Sequence, residues 1–270
     1  MTHRLSSSDW LDLHYEVCRA EYERLAFAAG FEQSWHVLDA GCGSGAYGNV
    51  LRRLVGEGGV LVGCDVSADN IRRARTRGAG AGYDEVTQAA INDLPYRDGS
   101  FDGVWCANVL QLLDDDEAVR ALRELCRVTK PGGRIAIKDV DMLLWRVHPL
   151  DPLLITRLMA ASVRSDEART ETLGALRGRT LRRLVETQHV ADVAQQTMLI
   201  ERWAPLSDAA RRMYAQWLQV LAGMAEERDV SQSDMAVWRD LAQPDSPTHP
   251  LNSDCFYACE GQVLVTATVP

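Results

Sequence analysis

The sequence predicts an open α/β protein of the doubly wound kind, in which strands and helices alternate. The stretch Val37–Gly45 reads as a short apolar strand and a turn with glycine at every second position, and a helix begins near Tyr47. A second apolar strand, Val60–Asp65, follows that helix. Strand, helix and strand over this length form a right-handed βαβ unit with parallel strands. A ligand is therefore expected at the carboxyl ends of the strands.

Composition, charge and cysteine content limit the kinds of protein that this sequence can encode. The 270 residues are 46% hydrophobic and 25% charged, as in an ordinary globular domain. The formal charge of −9 argues against nucleic acid as a partner. Seven dispersed cysteines without a CxxC pair fit the reducing cytoplasm, and no metal site is expected. The polar segment Met1–Trp10 predicts no signal peptide, and no apolar run is long enough to predict a membrane span.

A first helix is predicted over residues 9–30, before the glycine turn. Ser8 or Asp9 can cap it, apolar residues recur on one face, and Gly30 ends it. Because this helix precedes the turn, it could fold over the ligand. His14 and Tyr15 would then come close to the ligand, although Tyr15 could equally be part of the core.

Further elements follow the second strand in regular order. Ser67 is placed to cap a third helix, and Gly78–Gly82 reads as a loop. Val86–Ile91 predicts a third strand that is weak by composition, and Phe101–Ala107 predicts a fourth. The acids at 114–116 suit the positive end of a fourth helix.

The second half of the chain is less regular. Arg134–Val140 predicts a fifth strand, and Val193–Trp203 reads as a sixth. A final hairpin is predicted from Cys255–Cys259 and Gln262–Val269, with Glu260–Gly261 as its turn. Helical patterns cover residues 152–161, 170–186, 207–227 and 233–242.

The glycine turn is compatible with two kinds of cofactor. Gly43–Gly48 matches GxGxxG, and Asp65 stands 20 residues after Gly45, near the position of the acid that binds ribose in nicotinamide dinucleotide proteins. However, Asp39 lies directly beneath the turn, where a carboxylate would repel a diphosphate and attract an ammonium group. S-adenosylmethionine has that ammonium, a carboxylate for the backbone N–H groups of the turn, and a ribose for Asp65.

Four stretches resemble the class I S-adenosylmethionine-dependent methyltransferases of the small-molecule subfamily. They are VLDAGCGSG at 37–45, VGCDVSADNIRRAR at 62–75, LPYRDGSFDGVWCANVLQLL at 94–113 and LCRVTKPGGRIAI at 125–137. The resemblance implies a doubly wound seven-stranded sheet, mostly parallel with an antiparallel last strand, in which the final hairpin supplies strands six and seven. It also implies one catalytic domain with an N-terminal helical cap (1–34), a cofactor-binding core (35–145) and a remainder with helical insertions that form a substrate lid (146–270).

The resemblance also implies the cofactor contacts. The glycine turn would line the methionine part, Asp65 the ribose and Val66 the adenine. Ala89–Ala90 replaces the Gly-Asp pair that the family commonly has, so Asn92, Asp93 or the backbone at Ile91 would take over the adenine contact. The residues expected to bind the cofactor are Tyr15, Asp39, Gly41, Cys42, Gly43, Gly45, Asp65, Val66, Asn70, Ile91, Asn92, Asn108 and Val109.

Methyl transfer requires mainly alignment, because the sulfonium leaving group is good, and a base is needed only for a weakly acidic acceptor. Asp141 and His14 are the candidate bases, and Gln111, Tyr214 and Trp217 are candidate substrate contacts. The predicted function is O-, N- or C-methylation of a small apolar or aromatic metabolite of secondary metabolism, by a monomer or homodimer that releases S-adenosylhomocysteine. The alternatives are an S-adenosylmethionine-binding isomerase or cyclase on the same scaffold, and a nicotinamide-dependent oxidoreductase.

Overall fold

A mixed sheet of seven strands forms the centre of the computed structural model, which describes residues 4–77 and 82–270. In chain order the strands are β1 (His36–Ala40), β2 (Val60–Asp65), β3 (Glu85–Gln88), β4 (Phe101–Ala107), β5 (Thr129–His148), β6 (Ala191–Trp203) and β7 (Tyr257–Thr268). Their order in the sheet is β3-β2-β1-β4-β5-β7-β6. The pairs among β1 to β5 are parallel, and β7 is antiparallel to both β5 and β6. The predicted sheet, mostly parallel with an antiparallel last strand, is confirmed.

Helices cover both faces of the sheet. Within the described residues they are α1 (Ser8–Phe27), α2 (Gly48–Val55), α3 (Ala68–Thr76), α4 (Asp115–Val128), α5 (Leu154–Ala160), α6 (Asp166–Ala175), α7 (Leu181–Glu186), α8 (Asp208–Glu226) and α9 (Gln232–Leu241). Buried side chains of α1, α2, α5, α8 and α9 form one hydrophobic cluster, and those of α4 and α7 contribute to a second. The sheet therefore has a core on each face, as a doubly wound fold requires.

Side-chain caps begin several of these helices. Ser67 caps α3 as predicted, because its hydroxyl accepts a hydrogen bond from the backbone of Asn70. Asp114 caps α4 and forms a capping box with Glu117. The cap of α1 is Ser7 rather than Ser8 or Asp9, and α1 ends at Phe27, before the predicted end at residue 30.

The predicted hairpin with a turn at Glu260–Gly261 is wrong. Residues 257–268 form the single strand β7, in which Glu260 pairs with Ile200 and Gly261 pairs with Asp141 on the other side. The glycine at position 261 leaves room for Leu144, whose Cβ would collide with a Cβ added there. The last two strands are therefore β6 and β7, which are separated by residues 204–256.

Several other boundaries also differ from the predictions. β3 ends at Gln88, so Ile91 lies in the loop beyond it. β5 extends to His148 because β7 pairs with it from Arg134 to Asp141 and again, after a register shift, from Arg146 to His148. The predicted helix 170–186 is interrupted and belongs to both α6 and α7. Most of the predicted loop Gly78–Gly82 lies outside the described residues. No helix in the described ranges has the length and apolar character that would let it cross a membrane.

Candidate functional site

Three glycines with left-handed backbone shape the turn after β1. The φ angle is 77° at Gly41, 54° at Gly43 and 83° at Gly45, a region that residues with a side chain rarely adopt. The N–H groups of Gly41 and Cys42 both donate to the carbonyl of Cys64 at 2.8 Å, which ties the turn to β2. The chain's own hydrogen bonds thus fix the shape of the turn.

Each of these glycines also faces a close neighbour. A Cβ at Gly41 would collide with Val109, and a Cβ at Gly43 would lie 2.7 Å from Cδ1 of Leu11. Leu11 belongs to α1, so the N-terminal helix covers the glycine turn directly. The turn requires glycine both for its backbone angles and for these contacts.

The carboxyl group of Asp39 lies beneath the turn and is only 1% exposed. The hydroxyl of Tyr83 donates a hydrogen bond to its Oδ2 at 2.5 Å. Burial raises the pKa of Asp39 to about 7, the bond from Tyr83 opposes that rise, and the nearby charge of Asp65 adds to it. Sequence reasoning missed Tyr83, since no motif marks it and its partner is 44 residues away.

The raised pKa of Asp39 predicts how stability depends on pH. The folded chain binds this proton more tightly than the unfolded chain, whose Asp pKa is about 3.9. The tighter binding of this proton therefore stabilises the folded chain fully below about pH 4. This stabilisation is lost as the pH rises through about 7. Asp39→Asn cannot ionise, so we expect its melting temperature to rise relative to the native protein between about pH 4 and pH 8. Thermal unfolding across this range tests the prediction. The control Asp69→Asn, on an exposed side chain, should give a flat difference, and a flat difference for Asp39→Asn would contradict it.

Three donors hold Asp65 at the end of β2. Its Oδ2 accepts the N–H of Gly43 at 2.9 Å, and its Oδ1 accepts the N–H of Ser67 at 2.9 Å and Nδ2 of Asn70 at 3.3 Å. The buried Asn70 in turn accepts the hydroxyl of Ser8 at 2.8 Å. Asp65 therefore links the glycine turn, α3 and the first turn of α1.

Ion pairs fasten α1 to α3 beside the glycine turn. Asp12 of α1 pairs with Arg73 at 2.7 Å and with Arg77. The same carboxylate accepts the hydroxyl of Ser44 at 2.5 Å. Sequence reasoning did not find these contacts, because the partners lie far apart along the chain.

The residues predicted to contact adenine differ in their exposure. Val66 is 69% exposed, so its side chain is free to meet a flat ligand. The side chain of Ile91 is buried in the core on the α4 side, which leaves its backbone as the group that can face a ligand. Asn92 is half-buried, in a tight loop where Ala90 bridges Asp93.

The loop after β4 lies against the glycine turn through Val109. Asn108 has a φ of 59°, which asparagine tolerates better than most residues. Its N–H donates to the carbonyl of Lys138 at 2.7 Å, and its Oδ1 accepts Nζ of Lys138 at 2.8 Å. Nε2 of Gln111 donates to the carbonyl of Asn108 at 3.3 Å. Of the predicted residues of this loop, Val109 thus contacts the glycine turn, whereas Asn108 and Gln111 are bonded to Lys138 and to each other.

A buried polar cluster lies between α1 and β7. The carboxylate of Glu260 accepts the thiol of Cys18 at 3.3 Å and Nε2 of Gln262 at 3.0 Å. Its Oε2 is 3.0 Å from Nε2 of His14, which is 3.2 Å from the hydroxyl of Tyr22. Burial disfavours the charge of Glu260, but His14 and Cys18 outweigh burial and lower its pKa.

Lys138 connects this cluster to the end of β4. Its Nζ lies 3.9 Å from the centre of the Tyr22 ring while it donates to Asn108. Burial lowers the pKa of Lys138, although nearby carboxylates oppose that effect. The cluster is therefore adjacent to the loop that is predicted to back the methionine part of the cofactor.

The two predicted catalytic residues are not brought together. His14 points into the polar cluster on the α1 face. Asp141 accepts the N–H of Leu143 at 3.1 Å and packs against Gly178. Because successive side chains of a strand point to opposite faces, Asp141 and Lys138 face opposite sides of the sheet. Burial raises the pKa of Asp141.

The aromatic residues predicted to contact ligands are buried in the main core. Trp217 stacks on Trp145 with ring centres 4.2 Å apart, and Tyr214 lies 5.6 Å from Phe256. Tyr15 packs among other tyrosines of the same cluster, and burial raises its pKa to about 12. In this structure all three contribute packing rather than exposed binding surface.

Comparison with known proteins identifies relatives of the chain. Residues 38–137 match the family model described as a methyltransferase domain. The chain is 37% identical over 122 residues to methyltransferase GfsG of Streptomyces halstedii. It is 30% identical over 168 residues to malonyl-[acyl-carrier protein] O-methyltransferase of Pseudescherichia vulneris. These matches cover 44% and 62% of this chain, and 41% and 64% of the two relatives, so the chain spans less than two thirds of either relative.

A solved structure supports the fold over almost the whole chain. An S-adenosylmethionine-dependent methyltransferase from Aquifex aeolicus superposes with a TM-score of 0.50 at 17% identity, covering 92% of this chain and 89% of that one.

The order of the strands distinguishes this fold from a dinucleotide-binding fold. Dinucleotide-binding folds commonly have the strand order 3-2-1-4-5-6, whereas here the antiparallel β7 lies between β5 and β6. That arrangement, with a glycine turn after β1 and an acid ending β2, is the class I methyltransferase fold. The match of residues 38–137 to a methyltransferase domain confirms the resemblance of the four motifs, which lie in the same part of the chain. The nicotinamide-dependent oxidoreductase is not supported.

Proposed function

We propose that the protein transfers a methyl group from S-adenosylmethionine to a small-molecule acceptor and releases S-adenosylhomocysteine. The observation that carries the proposal is the arrangement around the glycine turn, with Asp39 beneath it, Asp65 bonded to it and Val109 next to it. The family match over residues 38–137 supports the same activity.

Several parts of the cofactor meet a suitable group. Asp39 suits its ammonium group, directly or through water. The N–H groups of Gly41, Cys42 and Gly43 already donate within the chain, so the cofactor carboxylate would have to replace one of these bonds or bind to another donor. Asp65 already accepts three hydrogen bonds, and a carboxylate offers about four lone-pair positions, so one remains for a ribose hydroxyl. The exposed Val66 suits the face of the adenine.

The N-terminal helix has to move before the cofactor can reach the turn. Leu11 lies over Gly43, Ser8 is bonded to Asn70, and Asp12 is paired with α3. We therefore keep residues 1–34 as a cap, 35–145 as the cofactor-binding core and 146–270 as the acceptor-side remainder with a lid. Closure of the cap would exclude water from the sulfonium, which favours transfer to the acceptor over side reactions.

The acceptor is proposed to lie beside Asn108 and Gln111, near the polar cluster. His14 and Asp141 stay predicted bases, and Tyr214 and Trp217 stay predicted acceptor contacts. Buried aromatic side chains on the α1 face would suit an apolar or aromatic metabolite of secondary metabolism, once the cap opens. A monomer or homodimer in the cytoplasm, without nucleic acid as a partner, belongs to the same proposal. The seven free thiols suit a reducing compartment.

Two measurements on the full chain test the proposal. Calorimetric titration should show binding of S-adenosylmethionine and S-adenosylhomocysteine with dissociation constants below about 1 mM. A screen of candidate acceptors should then yield methylated product and S-adenosylhomocysteine in equal amounts. The isomerase or cyclase alternative, which the methyltransferase relatives do not favour, predicts conversion of a substrate without release of S-adenosylhomocysteine. If neither cofactor form binds, the proposal fails.

A further inference from the structure

Three potential metal ligands of different kinds meet in the polar cluster. His14 and Cys18 are four residues apart on α1, so their side chains lie on the same face of the helix. Glu260 of β7 faces both of them. The residues are 7%, 0% and 0% exposed, in chain order, and their candidate ligand atoms all lie within 4.8 Å of one another.

The spacing of these atoms suits a tetrahedral ion. Nε2 of His14 is 3.0 Å from Oε2 of Glu260, and Sγ of Cys18 is 3.3 Å from Oε1. Zinc bonds of about 2.0 Å to nitrogen and oxygen and about 2.3 Å to sulfur place tetrahedral ligand atoms about 3.3 to 3.5 Å apart. His14 and Cys18 approach different oxygens of Glu260, and the ligand atoms lie within 4.8 Å of one another. Rotation of the carboxylate and side-chain shifts of up to about 1.3 Å would therefore make room for the ion.

The side chain of Gln262 supports a metal site independently of the three ligand residues. Its Nε2 donates to Oε2 of Glu260 at 3.0 Å, while its Oε1 is buried without a hydrogen-bond partner among the described residues. A buried amide oxygen without a partner is uncommon in folded proteins. Turning the amide over would bring that oxygen towards the carboxylate of Glu260, which is favourable only if a cation lies between them. The amide oxygen of Gln262 could thus serve as a fourth ligand.

We propose that His14, Cys18 and Glu260 bind one divalent transition-metal ion of the zinc type, with Gln262 or a small ligand in the fourth position. A thiolate and an imidazole select such a metal over magnesium or calcium. On binding, the thiol of Cys18 gives up its proton, so the thiolate and the carboxylate together balance the two positive charges of the ion. At least one proton is released for each ion bound.

The two basic side chains near the proposed metal site, Lys138 and Arg202, are bonded to groups other than the proposed ligands. Nζ of Lys138 is bonded to Asn108 at 2.8 Å, and Arg202 pairs with Glu21 at 2.9 Å. The site adjoins Asn108, but metal binding does not depend on the proposed methyl transfer. It does exclude a role of His14 as general base, since the ion takes the lone pair of Nε2 and leaves the proton on Nδ1.

The test uses the full chain, freed of metal with a chelator and titrated with cobalt(II) and then zinc(II). We expect one equivalent of cobalt to give the visible bands of a tetrahedral site and a thiolate charge-transfer band, with proton release on binding. Zinc should displace the cobalt. Cys18→Ser should lose the charge-transfer band and bind more than about 100-fold more weakly, which exceeds the effect of losing an outer partner. The matched control Cys106→Ser, at an equally buried cysteine outside the cluster, should keep the band.

Two results would overturn the proposal. One is the absence of a thiolate band at about 1 mM cobalt, far above the affinity of built zinc sites. The other is an unchanged band in Cys18→Ser. Circular dichroism checks the fold of each variant. If Cys18→Ser does not fold, Glu260→Gln keeps the size of the side chain and removes its charge. Cobalt binding as tight as in the native protein would then reject the site.

Discussion

Asp65→Ala is expected to weaken the binding of S-adenosylmethionine about 100-fold. A hydrogen bond from a ribose hydroxyl to a charged carboxylate contributes about 1.5–3 kcal/mol, and about 1.4 kcal/mol corresponds to a factor of ten in affinity. The substitution also deprives the N–H groups of Gly43 and Ser67 of their acceptor, which loosens the glycine turn. Calorimetry with the native protein and the variant measures the change.

Two further variants give this prediction its control. Asp69→Ala removes a carboxylate from the first turn of α3, where the side chain is 77% exposed and paired with Arg72, and should leave affinity unchanged. Asp65→Asn keeps the size of the side chain, but its amide would meet N–H donors, so it should also bind weakly. Native affinity in Asp65→Ala would show that the ribose lies elsewhere.

Gly43→Val is expected to abolish cofactor binding and also to lower stability. Valine is β-branched and has to adopt a φ of 54°, which costs about 1–3 kcal/mol, and its Cβ would lie 2.7 Å from Leu11. From the sequence alone, the expected effect is loss of binding with the fold unharmed. The structure adds the loss of stability, because both the backbone and α1 resist a side chain at this position. Thermal unfolding and calorimetry measure the two effects.

Gly132→Val separates backbone strain from loss of the site. Gly132 has a φ of 79° and lies outside the glycine turn, and a Cβ added there would have no atom of the described residues within 4 Å. We expect this variant to lose stability through strain while it keeps native affinity for S-adenosylmethionine. Equal loss of affinity in both variants would mean that strain alone, rather than the space above Gly43, prevents binding.

Local signals in the sequence predicted much of the geometry around the glycine turn. The glycine turn, the cap at Ser67 and the acid at Asp65 lie within a single βαβ unit, so their mutual geometry follows from short-range rules. The same reasoning placed Asn108 at the end of β4, because a parallel strand brings its carboxyl end to the edge that carries the turn.

Contacts between distant segments could not be predicted in this way. Glu260 precedes a glycine and reads as part of a turn, yet β7 continues through it because strands pair on both of its sides. Its partner Cys18 is 242 residues away, so no spacing rule connects them. Tyr83 meets Asp39 in the same manner, after a segment without any recognisable motif.

The position of β7 also has a consequence for biosynthesis on the ribosome. β7 inserts between β5 and β6 but is translated after both of them. A nascent chain that has emerged only as far as residue 256 would present two unpaired strand edges, which invite aggregation. The sheet and the cluster around Glu260 can therefore be completed only after β7 has been translated. Chaperones that shield exposed strands would be needed most during that interval.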